Sequence, residues 1–246
     1  MDLHKPKPWH GVREFLKEYL IIVVGVLTAL AAEQAVEWLH WRHEAAQAEE
    51  ELAAGLQLDL LNSVGWLAIQ PCFKAWLSPL ATSLQAPGPK WRAAELVLPP
   101  TATVSPRITR RTFASPGGVW SHAAWESAET SGVLSHLPAA RVRRYADAYR
   151  MVELARQWQV TIQDIEDDLT PLAYDRQLSD AEKAAYLQRL SNLESKTANM
   201  RAFSRSTLMY AHDLGLDPPA AKVKERMDQL RRNSGACVTD VNLPLG

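Results

Sequence analysis

"EFLKEYLIIVVGVLTALAAEQAVEWLHWRHE" runs from Glu14 to Glu44, and its reading decides where the rest of the chain works. Tyr19 to Ala32 carries neither charge nor proline. That run is roughly 14 residues, or about 21 Å as a helix, against a hydrocarbon core of about 30 Å. It lengthens at both ends. Phe15 and Leu16 precede it, and Lys17 can snorkel back to the headgroups. Ala35 and Val36 follow it, with Glu33 near the far interface. Lys17, Tyr19, Trp38 and Trp41 fall where a membrane interface places cations and aromatic rings.

Three readings of this stretch are open. A cleaved signal peptide draws on the basic leader (Lys5, Lys7, Arg13, Lys17) and on the small-x-small pattern Ala29-Leu30-Ala31. Against it, no turn-former separates the apolar run from that site, and the helical pattern continues into Leu39. A soluble core helix is opposed by Leu20 to Leu30, which shows no polar stripe. A retained transmembrane anchor is the preferred reading. Four Lys or Arg precede the span, whereas Arg42 follows it among Glu33, Glu37, Glu44, Glu49, Glu50 and Glu51. The positive-inside rule then expects a cytoplasmic N-terminus in the inner membrane, with the bulk of the chain outside, in a Gram-negative cell the periplasm.

Composition bounds the remainder. Of 246 residues, 47% are hydrophobic and 22% charged, which excludes both a disordered chain and a polytopic membrane protein. A formal charge of -1 gives no pull toward nucleic acid, and none is expected as a partner. The two cysteines, Cys72 and Cys237, are too few for a disulfide scaffold or a four-thiolate zinc site. In an oxidising compartment they could form one disulfide.

The expected fold is mainly α. A cytoplasmic tail (1–18) precedes an anchor (19–38), which continues into a long juxtamembrane helix and a short second helix (39–84). Leu52, Leu56, Leu60, Val64 and Leu67 recur at helical spacing, widened by Leu58 and Leu61. Pro71 separates off a short helix over Phe73–Leu84. A Pro-rich connection (85–118) follows, with "ELVLPP" and "TATV" as candidate strands. An antiparallel helical bundle occupies 119–233, and an irregular tail 234–246. Within the bundle, Trp120–Ser131 is stopped by Gly132, Pro138 opens a long helix, and "SDAE" (Ser179–Glu182) is a capping box. That helix is expected to reach about Asp213 with Gly215 as its stop, and a last helix begins near Pro218 or Pro219.

The order of parts resembles a widespread family of uncharacterised bacterial single-pass membrane proteins. The matching features are the anchor "YLIIVVGVLTALAAEQAVEW" closed by Trp38, the segment "AAWESAETSGVLSHLP" (Ala123–Pro138), and the Tyr-bearing helix "RRYADAYRMVE". Such anchors often end in Asn-Asn-Trp, whereas here Trp38 stands four residues after Gln34. The resemblance implies a retained anchor and a helical extracytoplasmic domain, and it implies no chemistry.

Candidate sites are each weighed against a plainer reading. Glu37, His40 and Glu44 share one helix face and are of metal-ligating type. The plainer reading is a helix leaving the headgroup layer, and His43-Glu44 opens no zincin motif because position 47 is Gln. Asp164, Asp167 and Asp168 read as a solvated face rather than a metal cluster. Ser121, His122 and Glu126 are neighbours in sequence, which rarely yields a nucleophilic triad. Arg107, Arg110, Arg111, Arg141, Arg143 and Arg144 could meet anionic lipid or an acidic partner, but such residues more often pair locally. No P-loop, dinucleotide fingerprint, C-x-x-C or haem motif is present, and no cofactor is expected.

The function expected is association with the bilayer and with a membrane or periplasmic protein, or with a second copy. Trp66, Trp76 and Trp91 are candidate contacts whose plainer fate is burial. An anchored sensor with an Arg- and Trp-lined pocket is the alternative. An enzyme is the least supported reading; convergence of His122, Glu126, His136 and the Asp164 group on one cleft would favour it.

Overall fold

A computed structural model describes residues 11–93 and 115–243. The candidate strands at 95–104 and Arg107, Arg110 and Arg111 lie outside the described residues, as does most of the Pro-rich connection. The chain divides into two units, Met1–Gln47 and Ala48–Gly246, and helix α1 (Val12–Gln85) contributes to both.

In the first unit α1 is exposed on every face from Val12 to His40, with only Val23 partly covered. Thr28 donates its hydroxyl to the carbonyls of Val24 (2.5 Å) and Gly25 (3.1 Å), so its polar atom is satisfied within its own helix. The Arg42 guanidinium sits over the Trp38 ring, 5.2 Å from its centroid.

The second unit is mainly helical. Beside the later part of α1 it holds α2 (Ala123–Ser131), α3 (Ala139–Leu169), α4 (Asp180–His212) and α5 (Ala220–Ser234). The packing directions follow from residue pairs. Arg144 meets the Asp213 carbonyl, Lys196 sits over Trp158, and Arg189 pairs with Asp168, so α3 and α4 are antiparallel. Arg141 pairs with Glu49 and Tyr149 with the Leu52 carbonyl, so α1 runs parallel to α3. Gln70 meets the Thr197 carbonyl and Lys183 those of Ala86 and Gly88, so α1 runs antiparallel to α4. Leu52, Leu56, Leu60 and Val64 of α1 are fully buried in this core with Tyr145, Tyr149, Val152 and Ile162 of α3 and Leu193 and Met200 of α4.

Two expectations about α1 are corrected. The helix continues through Pro71 and Pro79 to Gln85, and the separate helix over Phe73–Leu84 does not exist. Both prolines are exposed, whereas Ile69, Cys72, Phe73, Leu77 and Leu80 are buried. Each proline removes one helix hydrogen bond on the solvent side, where water can take the freed carbonyl, and the buried side holds the helix together. The apolar stripe also differs: Leu58 is exposed, Leu61 and Leu67 are half-buried, and Asn62, Ser63, Gly65 and Trp66 are buried. The helix is enclosed here on more than one side.

The other helices end on local signals. Ser179 and Glu182 form the capping box, each side chain taking the other's backbone N–H. Gly132 (φ 76°) and Gly215 (φ 77°) adopt the left-handed conformation that stops α2 and follows α4. Pro138 and Pro219 precede α3 and α5 as N-caps, one residue outside the helix.

Where the chain leaves α1, strands β1 (Lys90–Trp91) and β2 (Arg176–Gln177) pair antiparallel. Trp91 is buried and donates its indole N–H to the Leu172 carbonyl at 2.9 Å. Lys183 is buried and donates to the carbonyls of Ala86 (2.7 Å) and Gly88 (2.5 Å). A cation just past a helix C-terminus also offsets the negative end of the helix dipole. The C-terminal segment is tied down as well. Cys237 is disulfide-bonded to Cys72, with Cα atoms 5.0 Å apart, and Thr239 donates its N–H to the Ala68 carbonyl at 3.0 Å.

Candidate functional site

From the last residues of the Pro-rich connection to α2, Ser115 to His122 has no helix and no strand partner. Buried backbone polar groups must still be paired. Here side chains from three helices do this in succession. Arg226 of α5 donates to the Gly117 carbonyl at 2.7 Å. Gln159 of α3 donates to the Gly118 carbonyl at 2.9 Å and accepts the Trp120 indole N–H at 2.6 Å. Asn62 of α1 donates to the Val119 carbonyl at 2.9 Å. Asp59 of α1 accepts the Ser121 N–H at 3.1 Å. At the leading end, the Ser115 hydroxyl donates to Glu166 of α3. The segment is a strap laid over α1, with side chains standing in for a neighbouring strand.

The residues of α1 under the strap explain its enclosure. Asp59 and Asn62 are three apart, so one helix face carries both, and Ser63 is beside them. Asp59 and Ser63 have no exposed surface, and Asn62 almost none. Gly118 makes the close approach possible, because a Cβ there would come within 2.6 Å of Asn62 Cγ. Gly55 does the same one turn away, where a Cβ would lie 2.6 Å from the Tyr149 hydroxyl oxygen.

Asp59 is the unusual titrating group. Burial pushes its carboxyl from the ordinary 3.8 up to about 7, and the Ser121 N–H pulls weakly the other way. Among the described residues its Oδ2 has no hydrogen-bond partner, nor does the Ser63 hydroxyl. Burial also raises the Tyr149 phenol, with smaller pushes from Asp59 and Tyr145, so it stays neutral and donates to the Leu52 carbonyl at 2.8 Å. On the outer side, hydrogen bonding to Arg156 holds Glu153 down at about 2.

These shifts give a pH dependence with a definite sign. The folded state holds a proton on Asp59 up to about pH 7, and the unfolded chain loses it near 3.8. Stability from this group is full below about pH 4 and falls as pH rises to 7, by about 4 kcal/mol for an interval of that size. Asp59→Asn keeps an acceptor for Ser121 and has no proton to lose. Thermal melts across pH 5 to 8.5 should show the variant gaining on the unsubstituted chain as pH rises. Parallel curves would refute the assignment.

No protein-family model, curated protein or solved structure matches this chain.

The residues singled out from sequence are dispersed. His122 and Glu126 meet within the first turn of α2, Nδ1 to Oε1 3.4 Å, and the His122 ring sits edge-on to Tyr149 at 5.6 Å. Ser121 faces Asp59 through its backbone N–H. The Glu153 carboxylate feels His122, whereas Asp164 is a further 11 residues, about 16 Å, along α3. Asp164 and Asp167 are exposed, Asp168 pairs with Arg189 at 3.0 Å, and His136 is exposed in the 3-10 turn after α2. That length of helix separates the Asp164 group from His122.

Arg141 and Arg144 are engaged by Glu49 and by the Asp213 carbonyl, and Arg143 is exposed. Trp66 is buried and stacked on Phe73 at 5.9 Å, and Trp76 is half-buried. In the first unit, Lys17, Tyr19, Glu37, Trp38 and His40 are exposed, and Trp41 and Glu44 half-buried. Among the described residues no three His, Cys, Asp or Glu side chains are gathered to hold a metal ion. A cleft of about 420 Å³ between α1 and α4 is lined by Leu67, Phe73, Lys74, Leu77, Glu194 and Arg201, among others, and by no tryptophan.

Asp59, Asn62, Gln159 and Arg226 escaped the sequence reading. The available signal was the polar group Asp59, Asn62 and Ser63 set within the leucine repeat. Only the strap gives these residues a purpose, and it is distant in sequence.

Proposed function

We propose that this chain is a single-pass membrane protein of the bacterial family it resembles. Its helical second unit works outside the cytoplasm by association with a membrane or periplasmic protein, or with a second copy. The observation carrying this reading is the exposed apolar helix. An 18-residue window of mean hydropathy 2.0 in α1 has none of its residues buried. Leu20, Ile21, Ile22, Leu27 and Leu30 are each at least half exposed. Such a surface is costly in water and is satisfied by lipid. The flanking Lys17, Tyr19, Trp38 and Trp41 fit its two interfaces, and the excess of Lys and Arg before the run supports a cytoplasmic N-terminus. The Cys72–Cys237 bridge is in keeping with an oxidising compartment.

The test uses the full chain with a C-terminal tag. After an alkaline carbonate wash, the membrane pellet should hold protein of full-length mass, and cross-linking in intact cells should yield a discrete larger species. A soluble product shortened by about 31 residues would make the stretch a cleaved signal and overturn the anchor. Full-length protein in the pellet with no cross-linked species would overturn the association.

A further inference from the structure

We propose that the strap Ser115–His122 is a latch on α1, closed while the Asp59 carboxyl is protonated and opened when it ionises. The inference rests on the second unit alone and does not depend on the anchor.

The closed strap gives Asp59 an environment suited to a neutral acid. The side chain has no exposed surface, Oδ1 receives one backbone N–H, and Oδ2 receives none from the described residues. A carboxylate in water accepts several hydrogen bonds, so ionisation under the closed strap leaves a buried charge with a single donor. Lifting the strap admits water to Oδ2 at the expense of side-chain hydrogen bonds to the strap, each of modest net worth. The rise of the Asp59 carboxyl to about 7 is consistent with that cost.

The groups facing Asp59 leave the proton decision to it. From α3 comes Tyr149, held neutral and committed to the Leu52 carbonyl. From α1 itself come Asn62 and Ser63, which do not titrate. From the strap and α2 comes His122, set against the Tyr149 ring and beside Glu126, with the Glu153–Arg156 pair beyond it. The remaining ties are the Asn62 and Gln159 amides, the Arg226 guanidinium, which stays charged, and Glu166 at Ser115. Pro116, Gly117 and Gly118 keep the strap's leading half free of bulky side chains. Gly117 and Val119 are exposed, so its outer surface is open.

Hydrogen–deuterium exchange of the full chain in detergent tests the latch from pH 6 to 8.5, after correction for the intrinsic pH dependence of exchange. Protection of a peptide covering residues 115–131 should fall about tenfold or more as pH rises, as a local opening event does, while an α4 peptide holds constant. In Asp59→Asn the fall should vanish. Asp59→Ser is a second non-titrating variant if the first does not fold. No fall in the unsubstituted chain, an equal fall in the α4 peptide, or the same fall in either variant would overturn the proposal.

Discussion

Gly118→Ala should lower the melting temperature of the protein by roughly 5–10 °C, whereas Gly117→Ala should leave it nearly unchanged. The two glycines are adjacent in one strap and differ in what lies beneath them. A Cβ at Gly117 meets no atom of the described residues within 4 Å, but one at Gly118 presses on the whole Asn62 amide. Asn62 is buried, with almost no exposed surface. Accommodating the methyl moves its Nδ2 away from the Val119 carbonyl, now 2.9 Å distant. Overpacking and an unpaired buried amide together cost about 3 kcal/mol. Removing the obstacle checks the cause: in an Asn62→Ala background the same Gly118→Ala change should be far cheaper than in the unsubstituted chain. Equal effects at 117 and 118 would mean that the strap does not press on α1.

Removing the Cys72–Cys237 bridge should be the other large loss. The two residues are 165 apart in sequence, and the bridge closes a loop of almost that length. Loop-closure entropy for such a ring is about 5 kcal/mol, and bridge deletions typically cost about 2–5. The loss extends beyond the bond, because the bridge holds Val238 in its buried site and Thr239 against the Ala68 carbonyl. Denaturant unfolding of the Cys72→Ala/Cys237→Ala protein should show a clearly lower midpoint. The unsubstituted chain in excess dithiothreitol should fall to the same value. A midpoint indifferent to both treatments would exclude a structural role for the bridge.

What could be read from sequence was whatever the backbone settles locally. The capping box at Ser179–Glu182 and the stops at Gly132 and Gly215 depend on neighbours within four residues, and each is where its residues suggested. The period-four repeat Leu52-Leu56-Leu60-Val64 likewise marks a buried face, because helix geometry alone aligns it. Pro71 misled, since a proline's local penalty is overcome here by burial of the opposite face. The strap was illegible for a further reason. Its backbone is paired by Asp59, Asn62, Gln159 and Arg226, residues up to 109 positions away, and no periodicity records such pairings. Leu58 shows the converse, an apolar residue in the right neighbourhood that faces outward.

The Cys72–Cys237 bond also decides how the protein responds to a protease. Everything from residue 73 to 236 belongs to one covalent ring, including the Pro-rich connection, the strap and helices α2 to α5. A single cut anywhere on that ring yields a nicked molecule of unchanged size, and its two pieces part only after reduction. To shed the second unit in one step, an enzyme must cleave before Cys72, within the helical hydrogen-bond ladder of α1, where the chain is hard to draw into an extended active-site cleft.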